Sequence, residues 1–335
     1  MKIITMITAV LAFAFSAGAA EEKGTVKVFI LAGQSNMQGH GAIKTLPWLG
    51  EDKEYGKLLG KIQSDDKKGW KTRDDVWAFY PRKDGGKDGI KKGPLSVGFG
   101  VRDDRIGPEL FFGIAMGERY KEPVLIIKTC WGGRSLAENF RPPSSGGTVG
   151  KEWTDMLAMV RDLQKNLGTH FPEFKGKKAE LSGFVWFQGW NDMVNEERVA
   201  EYEVNMANFI RDVRKELGTP KLPFVIGELG VGGVTDEKTS KNMKNIRIAQ
   251  AAPAAMKEFK GNVGLVATSK YWDTHAHEIL KKGWIKRKWV DEDLHKQFDK
   301  MGNQPPYHYM GSAKIMSLIG YGFGEEMKKL LDAKK

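Results

Sequence analysis

Ser35 stands where the apolar run Val26-Lys27-Val28-Phe29-Ile30-Leu31 gives way to Ala32-Gly33-Gln34-Ser35-Asn36-Met37. A buried strand ends there and the chain must turn. In open α/β sheets the ligand crevice lies at the carboxyl ends of the strands, so the Ser35 hydroxyl is a candidate nucleophile. Three later segments, at or close to expected strand ends, supply complementary chemistry. Cys130-Trp131-Gly132-Gly133-Arg134-Ser135-Leu136 follows Val124–Thr129. Gln188-Gly189-Trp190-Asn191-Asp192 follows Gly183–Phe187. Pro306-Tyr307-His308-Tyr309-Met310-Gly311-Ser312-Ala313 precedes the last helix. A serine hydroxyl needs a base to take its proton, and histidine is the usual one near neutral pH. The oxyanion formed on attack needs donors aimed at it. The backbone N–H groups of Ser35 and of Gly132 or Gly133, with the Asn191 amide, meet that need. One such donor is worth about 2.7–4 kcal/mol of barrier.

These four blocks resemble those of the SGNH hydrolases, whose signature residues are Ser, Gly, Asn and His. Here they are Ser35, Gly132 or Gly133, Asn191 and His308. The wording Gly33-Gln34-Ser35-Asn36-Met37 and Gly132-Gly133-Arg134-Ser135-Leu136 is most similar to sialate O-acetylesterase-like domains and carbohydrate esterase family 6. The resemblance runs from Val26 to about Met327. It implies a flavodoxin-like three-layer fold, removal of acetyl groups from a sugar, and neither metal nor cofactor. Two departures stand out. SGNH enzymes usually carry an aspartate three residues before the histidine, where this chain has Pro305, preceded by Gln304. The His-Gln-Gly-Glu of family 6 is replaced by Phe187-Gln188-Gly189-Trp190. The orienting acid is therefore open among Asp192, Asp273 and Asp299, or a backbone carbonyl does that work and leaves a Ser–His dyad.

Each residue also has a plain structural reading. Ser35 and Asn191 are residue types that cap turns, and Gly132-Gly133 is an ordinary turn sequence. Asp192 is better suited to fixing its own loop than to serving as the acid. Arg134 is expected to bridge loop carboxylates. Trp131 and Trp190 flank the blocks, and Trp186 lies inside a strand. His40, His170, His275, His277 and His295 compete with His308. Of these His275 and His277, read as a polar loop after a strand end, are the main rivals. No Cys/His cluster has metal-ligand spacing, and the single Cys130 at the end of an apolar run reads as a small core residue.

The elements that must position these groups alternate. Strands are expected at Val26–Leu31, Val124–Thr129, Gly183–Phe187, Phe224–Gly227 and Val263–Thr268. Helices are expected over about 107–120, 152–167, 200–217, 241–259 and 312–331. This alternation implies a parallel sheet of about five strands between two helical layers. Residues 38–106 do not fit the alternation. They carry Trp48, Trp70, Trp77, Phe79 and Tyr80 and read as an insertion: a lid or binding wall, or a surface addition with its own aromatic core, containing a strand at Val76–Tyr80.

The chain has 335 residues, 41% hydrophobic, with a formal charge of +11. The basic residues are scattered among acids, without an arginine-rich arm, which argues against nucleic-acid binding. Lys2, the apolar Ile3 to Phe15 and the small residues Ser16-Ala17-Gly18-Ala19-Ala20 read as a secretory signal over 1–20. One SGNH-type domain over 21–335, without a membrane span, is the expected mature form, exported or periplasmic. The sequence thus points to a serine esterase that deacetylates a carbohydrate. A lipid or aryl esterase and a non-catalytic glycan-binding protein remain as alternatives.

Overall fold

The computed structural model describes residues 24–82 and 89–333. The segment 1–20, read above as a signal, lies outside them. Seven strands form the main sheet: β1 (Thr25–Gly33), β2 (Val76–Arg82), β3 (Gly89–Pro94), β4 (Val124–Cys130), β5 (Lys178–Phe187), β6 (Phe224–Gly227) and β7 (Val263–Val266). Their spatial order is β3-β2-β4-β1-β5-β6-β7. All neighbours are parallel except the β2–β3 pair. The five strands expected from the sequence are contiguous in the order β4-β1-β5-β6-β7, the flavodoxin-like arrangement, with β7 at one edge. Chain order reverses at β1, so ligands are expected beyond the carboxyl ends of β1, β4 and β5.

Both faces are covered. The helices α2 (Glu109–Gly117) and α8 (Ala313–Asp332) lie on one. A Cβ at Gly183 of β5 or Gly227 of β6 would strike Met327 or Phe323 of α8, which is why those strand positions lack side chains. The other face carries α3 (Lys151–Lys165), α4 (Glu196–Glu216) and α5 (Lys241–Ala255). In α4 the buried Val199, Tyr202, Met206, Phe209, Ile210 and Val213 make one apolar stripe. Phe209 meets Phe184, Trp186 and Phe224 of the sheet. Its N-cap Asn195 accepts from the Arg198 amide, and Glu196 and Glu197 complement the positive helix end.

The buried apolar residues of the insertion join the single hydrophobic core of the domain, so its aromatic residues do not form a separate mini-core. The insertion contributes β2, which extends the parallel sheet beside β4, and β3, which pairs antiparallel at the edge. The expected strand at Val76–Tyr80 is therefore present, as part of the main sheet. Two helices fall where the sequence reading assigned none: α6 (Thr274–Gly283) and α7 (Glu292–Asp299), separated by the short hairpin Trp284–Ile285 and Lys288–Trp289. His275 and His277, read as loop residues, lie in the first turn of α6. Asp273 caps that turn by accepting from the Ala276 amide at 2.9 Å. No helix among the described residues is long and apolar enough to cross a membrane.

Candidate active site

The serine is delivered by a sharp turn out of β1. Gly33 has φ +152°, and a Cβ there would lie 2.1 Å from the Phe187 carbonyl oxygen, so the close approach of β1 to β5 needs glycine. Ser35 then opens the single helical turn Ser35–Gln38. Gln34, not Ser35, is the N-cap, and the Ser35 hydroxyl is not spent on capping. The first amides of a helical turn have no acceptor within it. This leaves the Ser35 N–H suited to the oxyanion role.

Beneath this turn, Gln34 organises the third block. Its Oε1 accepts from the backbone N–H of Gly189 at 3.2 Å, from that of Asn191 at 3.1 Å and from Gln188 Nε2 at 3.2 Å. A buried amide oxygen with three donors sets the height of the Asn191 loop relative to Ser35. Gln188 Nε2 also reaches the Arg134 carbonyl at 3.0 Å and Asp192 Oδ2 at 2.5 Å. Asp192 is fully buried and accepts from the Leu136 and Ala137 amides, each at 3.0 Å. Burial pushes its carboxyl up to about 6 despite those bonds. It thus fastens the glycine-bearing loop after β4 to the loop after β5. The same loop is held at its start by the Trp131 amide, which donates to the Gly33 carbonyl at 3.2 Å. Gly133 has φ +68°, the turn geometry that favours glycine. Arg134 bridges Glu152 at 2.6 Å and the Gly132 carbonyl at 3.2 Å, as its structural reading predicted.

His308 sits in an irregular turn, Pro306–Gly311, whose next residues Tyr309 and Met310 have positive φ. This strained turn is joined to the serine turn by the Asn36 side-chain amide, which donates to the Tyr307 carbonyl at 3.2 Å. The Nδ1 of His308 lies 2.8 Å from Gln304 Oε1. Burial depresses His308 to about 4. His40 stacks on it, ring centroids 3.7 Å apart and planes 16° from parallel. His40 is itself lowered to about 3 by burial and then by the charge on its neighbour.

None of the three acids proposed from the sequence takes the place at Nδ1. Asp192 holds the glycine loop. Asp273 caps α6 and accepts from Trp48 Nε1 at 2.7 Å and Lys314 Nζ at 3.2 Å. Burial alone would raise its carboxyl, but those donors hold it below its ordinary value. Asp299 pairs with Lys44. A neutral amide, Gln304, occupies that position instead. The rival histidines are engaged elsewhere: His275 stacks on Trp48, and His277 Nδ1 accepts from Trp272 Nε1 at 3.2 Å. Among the described residues no group of His, Cys, Asp and Glu is placed to hold a metal. Gln34 and His40 had no assigned role in the sequence reading. Gln34 was legible only as a neighbour of Ser35, and His40 only as one histidine among six.

Two aromatic rings border the site. Trp190 and Tyr307 lie 5.9 Å apart at a 42° tilt, and Tyr307 is exposed and edge-on to His308 at 4.5 Å.

Comparisons with known proteins agree with this architecture. A probable carbohydrate esterase of Arabidopsis thaliana, At4g34215, is 22% identical over 229 residues, covering 67% of this chain and 76% of that one. The solved structure of the Arabidopsis protein superposes with a TM-score of 0.50 at 16% identity, over 82% of this chain and 95% of that one. A carbohydrate acetylesterase from Xanthomonas citri, XAC1771, aligns at 17% identity with a TM-score of 0.45, over 72% of this chain and 49% of that one. The family model for carbohydrate esterases described as sialic acid-specific acetylesterases matches residues 25–277, a span that contains Ser35, Gly132, Gly133 and Asn191 and ends before His308. The chain belongs to that carbohydrate esterase family and is a carboxylic ester hydrolase.

Proposed function

We propose that the protein is an exported serine esterase that removes acetyl groups from a carbohydrate through an acetyl-enzyme on Ser35. The observation that carries this reading is the Asn36–Tyr307 hydrogen bond, which ties the residue after the serine to the residue before the histidine. With Nδ1–H donated to Gln304, the His308 tautomer keeps its Nε2 lone pair for the Ser35 proton. Ser35 Oγ attacks the acetyl carbonyl. The oxyanion is held by the Ser35 N–H, an N–H of Gly132 or Gly133, and the Asn191 side-chain amide. Collapse expels the sugar alkoxide, which takes the proton from His308. Water then attacks the acetyl-enzyme by the same route and releases acetate.

The Trp190–Tyr307 pair supports a sugar as the alcohol component, because aromatic faces pack against the C–H surfaces of a pyranose. Export rests on residues 1–20, whose charge and apolar pattern suit a cleaved signal. A fluorophosphonate probe should label the wild-type protein and not Ser35→Ala. Labelling that survives the substitution removes Ser35 from the mechanism. Acetate release from acetylated sugars, set against hydrolysis of long-acyl esters, separates this reading from a lipid esterase.

A further inference from the structure

Beyond the carboxyl end of the sheet, the hairpin after α6 and the helix α7 enclose a cavity of about 150 Å³. Its lining includes the aromatic Trp284, Trp289 and Phe298 and the polar Asp299, Asn303 and Gln304. The rings form one packed group. Trp284 meets Trp289 at 5.6 Å, and Trp289 meets Phe298 at 5.4 Å and stacks on His295 at 4.7 Å. Neither Ser35 nor Asn191 nor the Gly132–Gly133 turn lines it. Gln304 does, and Gln304 is the residue bonded to His308 Nδ1. The cavity is thus one side chain removed from the catalytic histidine and separate from the place where the ester must lie.

We infer that this cavity is a glycan subsite, which takes the sugar ring next to the acetylated one and makes an oligosaccharide or polysaccharide the preferred substrate. Three features argue for a sugar. The volume equals that of about five liquid waters, well below the 300–1,000 Å³ of drug-sized pockets and suited to one ring. Indole and phenyl surfaces together with a carboxylate and two carboxamides match a ring with apolar C–H faces and an equatorial belt of hydroxyls. Ser35 does not line the cavity while Gln304, bonded to His308, does, so a unit other than the acetylated one is its natural occupant. The inference rests on the carbohydrate deacetylase reading, and its test is arranged so that the two can fail separately.

The test compares three acetate esters: an aryl acetate, acetylated xylose and acetylated xylotriose. Wild-type kcat/KM should be higher for the trisaccharide than for the monosaccharide. Trp284→Ala should lower it about tenfold for xylotriose, the loss expected for one aromatic contact, and leave the other two substrates unchanged. An equal loss on all three substrates, or none on any, overturns the subsite. Asp299→Ala is the second variant, since it alters the polar wall without touching the hairpin, and the same selective loss is expected. Binding of unacetylated xylotriose, measured by calorimetry with Ser35→Ala and with Ser35→Ala/Trp284→Ala, does not depend on turnover. Binding that the second substitution abolishes supports the subsite even if no acetyl sugar is hydrolysed, in which case only the deacetylase reading falls. Equal binding by both proteins, or by neither, overturns it.

Discussion

The side-chain amide of Asn36 donates to the backbone carbonyl of Tyr307 across 3.2 Å, joining two residues 271 positions apart. The turn that presents Ser35 and the turn that presents His308 are therefore one mechanical unit. Asn36 is buried, and its Oδ1 has no hydrogen-bond partner among the described residues. A buried amide with one unsatisfied oxygen is costly.

The depressed His308 sets the first prediction. A general base works in its neutral form, and burial moves its protonation down to about 4. The acidic limb of kcat/KM should accordingly fall near pH 4, with activity retained through pH 5–6. A limb at the ordinary histidine value of about 6.5 would remove His308 as the base. The same shift acts on stability. The unfolded chain binds protons on these imidazoles below pH 6.5 while the folded chain does not, so stability falls as pH drops from about 6.5 and the loss levels off below about 4. His40, lowered to about 3, adds to the same trend. Urea unfolding at a series of pH values measures it.

Gln304 offers a sharper test of the histidine. Gln304→Ala removes the acceptor at Nδ1 and should reduce kcat by about 10- to 100-fold, less than the roughly 10²–10⁴-fold attributed to a positioned base itself. Gln304→Glu places a carboxylate at that nitrogen, which favours the imidazolium. The acidic limb should then move upward. An unchanged pH profile in Gln304→Glu would show that this side chain does not orient the base.

Lys128 supports the serine turn from below. It is fully buried and donates to the Gln38 carbonyl at 2.7 Å, the Phe99 carbonyl at 2.8 Å and Glu109 Oε2 at 2.8 Å, with the Tyr80 ring 4.4 Å away. Its three donors are all used, and Gln38 closes the turn that begins at Ser35. Lys128→Met strands the buried Glu109 and should cost about 3–5 kcal/mol of stability. Lys128→Met/Glu109→Leu should recover part of that loss in chemical denaturation while activity stays low. Full activity in the double variant would deny Lys128 any positioning role.

Asp192 is predicted to matter through the glycine loop. Asp192→Asn keeps one acceptor oxygen but cannot serve the Leu136 amide, the Ala137 amide and the Gln188 side chain together. Displaced oxyanion donors should lower kcat more than they raise KM, by about 10- to 100-fold for one misplaced donor. A change confined to KM would argue against this chain of contacts.

Much of the fold was legible in the residues themselves. The five central strands are short apolar runs, and their alternation with amphipathic segments determines a parallel three-layer sheet, because such strands must be covered on both faces. The serine, glycine and asparagine blocks could be found because each follows an expected strand, where side chains are free to do chemistry, and the histidine block by its place before the last helix and its likeness to the fourth SGNH block. What stayed hidden depends on contacts between distant segments. That Gln304 faces His308 while Asp192, Asp273 and Asp299 bond elsewhere follows from how the 303–311 turn and α6 pack, and no local pattern encodes it. The addition of β2 to the main sheet is equally a matter of which edge was vacant. Local sequence decides where a strand or turn forms, since that is set by side chains a few positions apart. Which polar groups meet was decided only when the turns after β1, β4 and β5 and the one before α8 closed around the same space.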